Sequence, residues 1–407
     1  MTTGTGYDVR AVRARFPALA AGAAHFDGPG GSQVPDAVAD AVAATLAAPL
    51  ANRGRITAAE RRADDVVLAA RAAMADLLGA DPGGIVFGRS MTQLTYDTAR
   101  TLARTWAPGD EVVVTRLDHD ANIRPWVQAA ADAGVTVRWA DFDPATAELT
   151  VDDVTAHLSD RTRLVAVTAA SNLLGTRPPV PEIARAVHAR GALLHVDGVH
   201  LTAHAVVDVA DLGADFYVCS PYKFLGPHCG VLAAAPALLE TLRPQKLLPS
   251  TDAVPERFEL GTLPYELLAG TTAAVDFLAG LAPDARGTRR ERLAASMAAV
   301  GAHEDRLRRR VEDAVAALPG VTLHSRAAFR TPTLLLSLAG RDPVAAYEFL
   351  ATLDVNAPAG SFYAIEASRR LGLGDGGGLR VGMAPYTDDS DVDRLLDGLH
   401  RFLAAPA

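Results

Sequence analysis

Asp215-Phe216-Tyr217-Val218-Cys219-Ser220-Pro221-Tyr222-Lys223-Phe224-Leu225-Gly226-Pro227 is a short apolar run that stops on a serine, a proline and a lysine. The run reads as a buried strand, and the Ser-Pro-Tyr-Lys that follows reads as the turn leaving it. Its lysine is one of only two in the chain, Lys223 and Lys246, although Lys and Arg together number 39. Arginine replaces lysine for surface charge and solubility, but a guanidinium cannot be deprotonated and cannot form a Schiff base. A lysine kept at a strand end in such a chain is therefore a candidate for chemistry. Lys246, in the loop-like Arg243-Pro244-Gln245-Lys246, reads as an ordinary charge.

Outward from this stretch the pattern is regular. Between Asp27 and Ala235, β-rich apolar runs alternate with Ala/Arg/Asp-rich helical stretches, with strands expected at 84–87, 111–115, 135–139, 163–168, 192–196, 216–219 and 230–234. Such alternation is the mark of an α/β unit whose mostly parallel, here seven-stranded, sheet is covered by helices on both faces. From 247 to 263 the pattern loosens into Pro-rich and polar sequence, and a helix-rich region follows from 267 to 318. Strands near 321–323 and 333–338, a helix near 343–353 and a final helix over 391–403 read as a second, smaller α/β unit. The expected division is a large domain over 22–282 and a small C-terminal domain over 283–407, joined by an N-terminal segment, 1–21.

With 407 residues, 49% hydrophobic and 21% charged, the chain can bury a core large enough for two domains. No apolar run reaches the roughly 18 residues of a membrane span. The opening Met1-Thr2-Thr3-Gly4-Thr5-Gly6-Tyr7-Asp8 lacks the basic end and apolar run of a secretory signal, so a soluble cytoplasmic protein is expected, with no membrane partner. Two cysteines, Cys219 and Cys229, are too few for a disulfide framework or a thiolate metal site. A net charge of −9, with no basic cluster beyond short helical pieces such as Arg306-Leu307-Arg308-Arg309-Arg310, argues against nucleic acid.

Asp197 lies 26 positions before Lys223, in His195-Val196-Asp197-Gly198-Val199-His200, at the carboxyl end of a buried strand. Strand carboxyl ends are where open α/β sheets bind ligands. A carboxylate there together with a strand-end lysine suits pyridoxal 5′-phosphate: the lysine carries the aldehyde, and the acid keeps the ring nitrogen protonated. A lone strand-end Asp also serves as a helix cap or an ion-pair member, so the pair needs its context.

That context is specific. Asp197-Gly198-Val199-His200 followed by Asp215 to Pro227 resembles the cofactor-lysine region of class V aminotransferases and cysteine desulfurases, enzymes of the fold-type I class that depend on pyridoxal phosphate. Further motifs in the same order extend the resemblance over nearly the whole chain. It implies the fold-type I transferase fold, with Lys223, His119 and Asp197 as catalytic residues. Asp118-His119-Asp120-Ala121-Asn122 resembles the segment whose histidine stacks on the pyridine ring, and Ser171-Asn172-Leu173-Leu174-Gly175-Thr176 the one whose asparagine contacts the 3′-oxygen. His200 stands where a glutamine is usual near that oxygen.

Gly88-Arg89-Ser90-Met91-Thr92-Gln93 sits at a strand-to-helix junction, where free amides and the Thr92 hydroxyl suit a phosphate. The family pattern there is Gly-Thr-Thr, from which Ser90 and Met91 depart. Ser220 and Tyr222 match two more phosphate contacts, Tyr222 replacing a common histidine. Glu259-Leu260-Gly261-Thr262-Leu263-Pro264 resembles the loop that reaches the neighbouring subunit's site, so the resemblance implies a homodimer with Thr262 on the partner's phosphate. Leu379-Arg380-Val381-Gly382-Met383 matches the carboxylate-binding arginine, and a guanidinium at Arg380 implies an amino-acid substrate.

Two other readings fall away in context. His195, His200 and His204 are spaced by five and four, and an i,i+4 pair can hold zinc on a helix face, but no Glu or Cys completes a set. No metal is expected. Phe26-Asp27-Gly28-Pro29-Gly30-Gly31 lacks the Gly-x-Gly-x-x-Gly spacing of a dinucleotide loop and resembles instead the loop bordering the substrate pocket. Leu371-Gly372-Leu373-Gly374-Asp375-Gly376-Gly377-Gly378 reads as a flexible turn.

Desulfurases carry a nucleophilic cysteine on a mobile loop before the arginine. The corresponding 355–364 stretch here has none, and no cysteine follows Cys229. The expected function is a desulfurase-like lyase that eliminates a β-substituent without an enzyme persulfide. An aminotransferase or epimerase of the same class is the alternative. All three use the same residues, and His25, Arg53, Arg124, Phe362 and Tyr363 are candidates for specificity.

Overall fold

The computed structural model describes residues 7–405 of the chain; residues 1–6, read above for the absence of a secretory signal, lie outside the described residues. After a two-residue strand, β1 (Ala24–His25), come β2 (Ile85–Gly88), β3 (Glu111–Thr115), β4 (Thr136–Ala140), β5 (Thr162–Thr168), β6 (Leu193–Asp197), β7 (Phe216–Cys219) and β8 (Gly230–Ala234). All seven expected strands of the large sheet are present, each displaced by at most one residue at an end.

They form one sheet in the order β2-β8-β7-β6-β5-β3-β4, in which β8 is antiparallel to both neighbours and every other pair is parallel. The central strands are buried on both faces, which is why they read as unbroken apolar runs. Phe216 and Val218 pack into one core while Tyr217 and Cys219 point into the other. β4, at the edge, alternates exposed and half-buried residues instead. Because β2 runs parallel to β7 across β8, the carboxyl ends of β2, β3, β5, β6 and β7 all lie along one border of the sheet.

A second sheet is antiparallel, in the order β12-β13-β10-β9, built from β9 (Val321–Leu323), β10 (Thr333–Leu338), β12 (Ala359–Gly360) and β13 (Gly378–Gly382). A strand preceding β12, β11 (Val355–Asn356), pairs in parallel with β1, and Asp27 bridges to Gly382. The N-terminal segment is thus stitched to the sheet that carries Arg380.

The helix-rich stretch is two helices, Tyr265–Ala279 and Arg289–Ala316. Pro283 and Gly287 lie between them, and Thr288 opens the second with a capping box to Glu291. The Gly-rich stretch is a turn up to Gly377, but its last residue, Gly378, begins β13. Among the described residues no helix is long and apolar enough to cross a membrane.

Candidate active site

The loops leaving β2, β3, β5, β6 and β7 enclose a cavity of about 600 Å³ lined also by Arg380. Ser90, Met91, Thr92, His119, Asn172, Asp197, His200, Ser220, Tyr222 and Lys223 all line it. Of the candidates for cofactor and substrate, three stand outside the cavity of their own chain: Thr262 is exposed beside Gly261, Arg53 pairs with Asp64 and Glu256, and His25 meets Asn356, whereas Arg124, Phe362 and Tyr363 line it.

One end of the cavity is the N-terminus of helix Met91–Ala103. The Ser90 hydroxyl accepts the amide of Gln93, capping that donor and leaving the amides of Met91 and Thr92 as the free donors of the first turn. Gly230, on β8, lies directly beneath: a Cβ there would fall 2.2 Å from the Ser90 carbonyl carbon, so only glycine lets the helix start come this close to the sheet. Dipole and amides make this end a seat for an anion.

His119 follows β3 and caps a turn by accepting the amide of Ala121 at Nδ1, 3.0 Å. The neutral ring therefore carries its proton on Nε2. Beneath it, Asp118 is fully buried, accepting from Thr115 and, at 2.7 Å, from Asn122, whose other amide atom meets Trp126. Burial first, and the negative field of Asp197, push the Asp118 carboxyl up to about 8. Asp197, at the end of β6, accepts the amide of Val199 at 2.9 Å. Burial raises it to about 6, while that amide and Lys223 pull it down.

Lys223 donates to the carbonyls of Pro29 and Gly30 at 2.5 and 2.9 Å. Burial, then the nearby Arg380 charge, lower its ammonium to about 7, against opposing pulls from Asp27 and Asp197. Burial and the Lys223 charge also take His119 down to about 4. Burial thus brings three groups, Asp118, Asp197 and Lys223, toward neutral pH and keeps His119 uncharged there.

Arg380 is 1% exposed. Its Nη1 donates to the Asn172 carbonyl at 3.2 Å, its Nη2 to Asp27 at 3.1 Å, and the Phe362 ring lies over its face at 3.6 Å. Burial lowers the guanidinium to about 10, so it remains charged at neutral pH. Asn172 donates Nδ2 to the Phe362 carbonyl at 2.9 Å, and its Oδ1 is buried without a partner. His200 meets the hydroxyls of Thr331 and Thr333 at 2.9 and 3.0 Å through Nε2. The three histidines do not share a helical face: His195 packs edge-on to Trp126 and His204 bonds Glu304, while a 3-10 turn, Leu201–Ala203, separates His200 from His204.

Several contacts around the site had no signal in the sequence, although the residues that make them were in segments read from it. Phe362 and Tyr363 hold positive φ, 51° and 60°, and their carbonyls are taken by Asn172 and by the Asp120 amide, so this loop is pinned against the wall of the cavity. Asp120 grips Arg124 at the cavity rim. Asp27 reaches Arg380 from 353 residues away in the chain. The resemblance of residues 26–31 to a loop bordering the substrate pocket placed Asp27 near the site, but nothing in it named Arg380 as its partner.

Residues 24–395 match the family model described as Aminotransferase class-V. The chain is 34% identical over 395 residues to an uncharacterized protein of Mycobacterium tuberculosis, covering 97% of this chain and 98% of that one. It is 32% identical over 417 residues to a cysteine desulfurase of Dickeya dadantii, covering 97% of each. The crystal structure of the cysteine desulfurase CsdA, S-sulfonic acid form, from Escherichia coli superposes with a TM-score of 0.87 at 28% identity over 98% of both chains.

Proposed function

The chain belongs to the class V aminotransferases, a family of pyridoxal 5′-phosphate enzymes that includes cysteine desulfurases and shares the fold-type I architecture, and from that premise we propose that it is a lyase removing a β-substituent from an amino acid. The supporting observation is convergence: Lys223, Asp197 and the buried Arg380 border one cavity that ends in a helix N-terminus. The cavity fits the cofactor. It offers free amides for the phosphate, an unpartnered Asn172 Oδ1 with a spare Nδ2 hydrogen, and a buried carboxyl opposite a lysine whose proton is loosely held.

The amides of Met91 and Thr92, with the hydroxyls of Thr92, Ser90, Ser220 and Tyr222, would hold the phosphate. His119 would cover one face of the ring, Asn172 and His200 would border its 3′-oxygen, and Asp197 would hold a proton at its nitrogen. Bound in this way, the cofactor supplies an electron sink for charge developing at the substrate's α-carbon. Arg380 takes the α-carboxylate, and Lys223, as a neutral amine, takes the α-proton. The β-substituent leaves with the pair of electrons of its bond to carbon and takes up a proton, and the 2-aminoacrylate set free tautomerises and is hydrolysed by water to pyruvate and ammonia. The active form is a cytoplasmic homodimer in which Thr262 serves the partner's phosphate. Residues 22–282 form its large domain and 283–407 its small one.

A panel of amino acids, with pyruvate, sulfide and keto acid measured, tests the reaction. Pyruvate from β-substituted substrates is expected. A keto acid from an amino donor without pyruvate identifies an aminotransferase, and loss of optical activity with neither product an epimerase.

Sulfur chemistry gives a sharper expectation. Cys219 ends β7 in the core and Cys229 bonds Thr271, and burial pushes both thiols up, Cys229 to about 11. Neither is a nucleophile at neutral pH. Cys219→Ala with Cys229→Ala is expected to retain turnover, measured alongside thermal unfolding. A persulfide on either cysteine by mass spectrometry would overturn the reading.

A further inference from the structure

Strand β13 places the Cα of Arg380 opposite Leu335, but the guanidinium lies beyond a long flexible stem, and a two-pronged grip needs its plane and rotation set. Three contacts do this: the Asn172 carbonyl, the Phe362 ring and Asp27. The first two come from loops elsewhere in the chain. Asp27 is different, because its backbone is bridged to Gly382 on the same strand, two residues past Arg380. Its carbonyl is held by the amides of Gly30 and Gly31 at 2.8 and 3.0 Å. The turn is pressed so closely on β13 that a Cβ on Gly382 would sit 2.2 Å from Pro29.

We propose that Asp27 is a positioning residue that presents Arg380 to the α-carboxylate of the substrate. This rests on Arg380 being the carboxylate receptor, as argued above. A carboxylate beside that receptor has two opposed effects. It repels the incoming anion, and it orients the guanidinium while offsetting its buried charge. Exposure decides between them. The Asp27 side chain is 46% exposed and its field is screened, whereas Arg380 is 1% exposed and its hydrogen bonds are not. Orientation through Asp27 Oδ1 therefore outweighs repulsion.

Gly30 supplies an independent handle. A Cβ at Gly30 would lie 2.3 Å from Asp27 Oδ1, so Gly30→Ala moves the carboxylate off Arg380 without altering its chemistry, and it keeps the carbonyl that Lys223 uses.

The test compares two probes on the holoenzyme, L-alanine and L-alaninamide, which differ only in the carboxylate, by the change each causes in the cofactor's visible absorbance. Wild type is expected to bind L-alanine more tightly. Asp27→Ala and Gly30→Ala should each weaken L-alanine by about tenfold or more, the scale of losing a charge-assisted hydrogen bond, and leave L-alaninamide within about twofold. Asp27→Asn, which keeps the acceptor oxygen, should stay within about threefold of wild type for both probes. With turnover, the Asp27→Ala loss should fall on KM and spare kcat.

Unchanged or tighter L-alanine binding in Asp27→Ala overturns the proposal, as does an equal loss for both probes. Should Asp27→Ala fail to fold, Gly30→Ala and Asp27→Asn decide the matter alone. Arg380→Ala separates the premise from the inference. If it leaves the preference for L-alanine intact, or if wild type has no preference, Arg380 is not the receptor. If it abolishes the preference while Asp27→Ala does not, only the role of Asp27 fails.

Discussion

Lys223→Ala should leave no cofactor on the protein after borohydride treatment and should cut turnover by about a thousandfold, within the range for a positioned proton-transfer group. Lys246→Ala should do neither, since Lys246 bonds the Ser250 carbonyl and pairs with exposed Asp252, at 2.8 and 3.1 Å. The difference lies in surroundings. Burial and the Arg380 charge bring the Lys223 ammonium down to about 7, so near neutral pH much of it is free amine, ready to attack an aldehyde or take a proton. Because the shift is downward, the competent form grows as pH rises through about 7. Recapture of pyridoxal phosphate by stripped enzyme should therefore accelerate over that interval instead of near the ordinary lysine value. Lys223→Arg, which keeps the charge and cannot lose the proton, should be as dead as Lys223→Ala. Borohydride labelling at Lys246 in the wild-type protein would sink the assignment.

The large sheet was legible because its strands are buried on both faces and so stand out as short apolar runs. β13 was not, although it carries Arg380: Gly-Leu-Arg-Val-Gly has two apolar residues between glycines, and only pairing with β10 makes it a strand. β1, β11 and β12 have two residues each, too few to show a period. Within the site, Asp197 and Lys223 could be paired from sequence because each ends a recognisable strand of one sheet. The grip of Asp27 on Arg380 joins the two ends of the chain, and no local pattern encodes it. The same holds for the bonds of the loop after β12, whose Phe362 carbonyl accepts from Asn172 after β5 and whose Tyr363 carbonyl accepts from the Asp120 amide after β3. His200 and His204, four residues apart, do bring their rings edge-on at 4.8 Å across a 3-10 turn, but their ring nitrogens go to different partners, Thr331 and Thr333 for one and Glu304 for the other.

Asp197→Asn is expected to bind the cofactor and fold while losing about a hundredfold or more of turnover. Asparagine preserves the shape of the side chain and its Oδ1, so the bond from the Val199 amide survives, and thermal stability should change little. It removes the negative charge that keeps a proton on the ring nitrogen. Burial already raises the Asp197 carboxyl to about 6, so in the wild type that charge is present above about pH 6 and is lost below it. Lys223 is ready as a base only above about 7, so both groups favour the alkaline side. Wild-type turnover should therefore rise with pH over this interval. In Asp197→Asn the remaining activity should still rise through the Lys223 transition, and the transition belonging to Asp197 should vanish. Asp118, buried nearby and raised to about 8 partly by the field of Asp197, supplies a control. Its carboxyl is held by Thr115 and Asn122 under the His119 turn, so Asp118→Asn should lower stability more than Asp197→Asn does and lower turnover less. Near-normal turnover in Asp197→Asn would show that the strand-end acid only caps its turn.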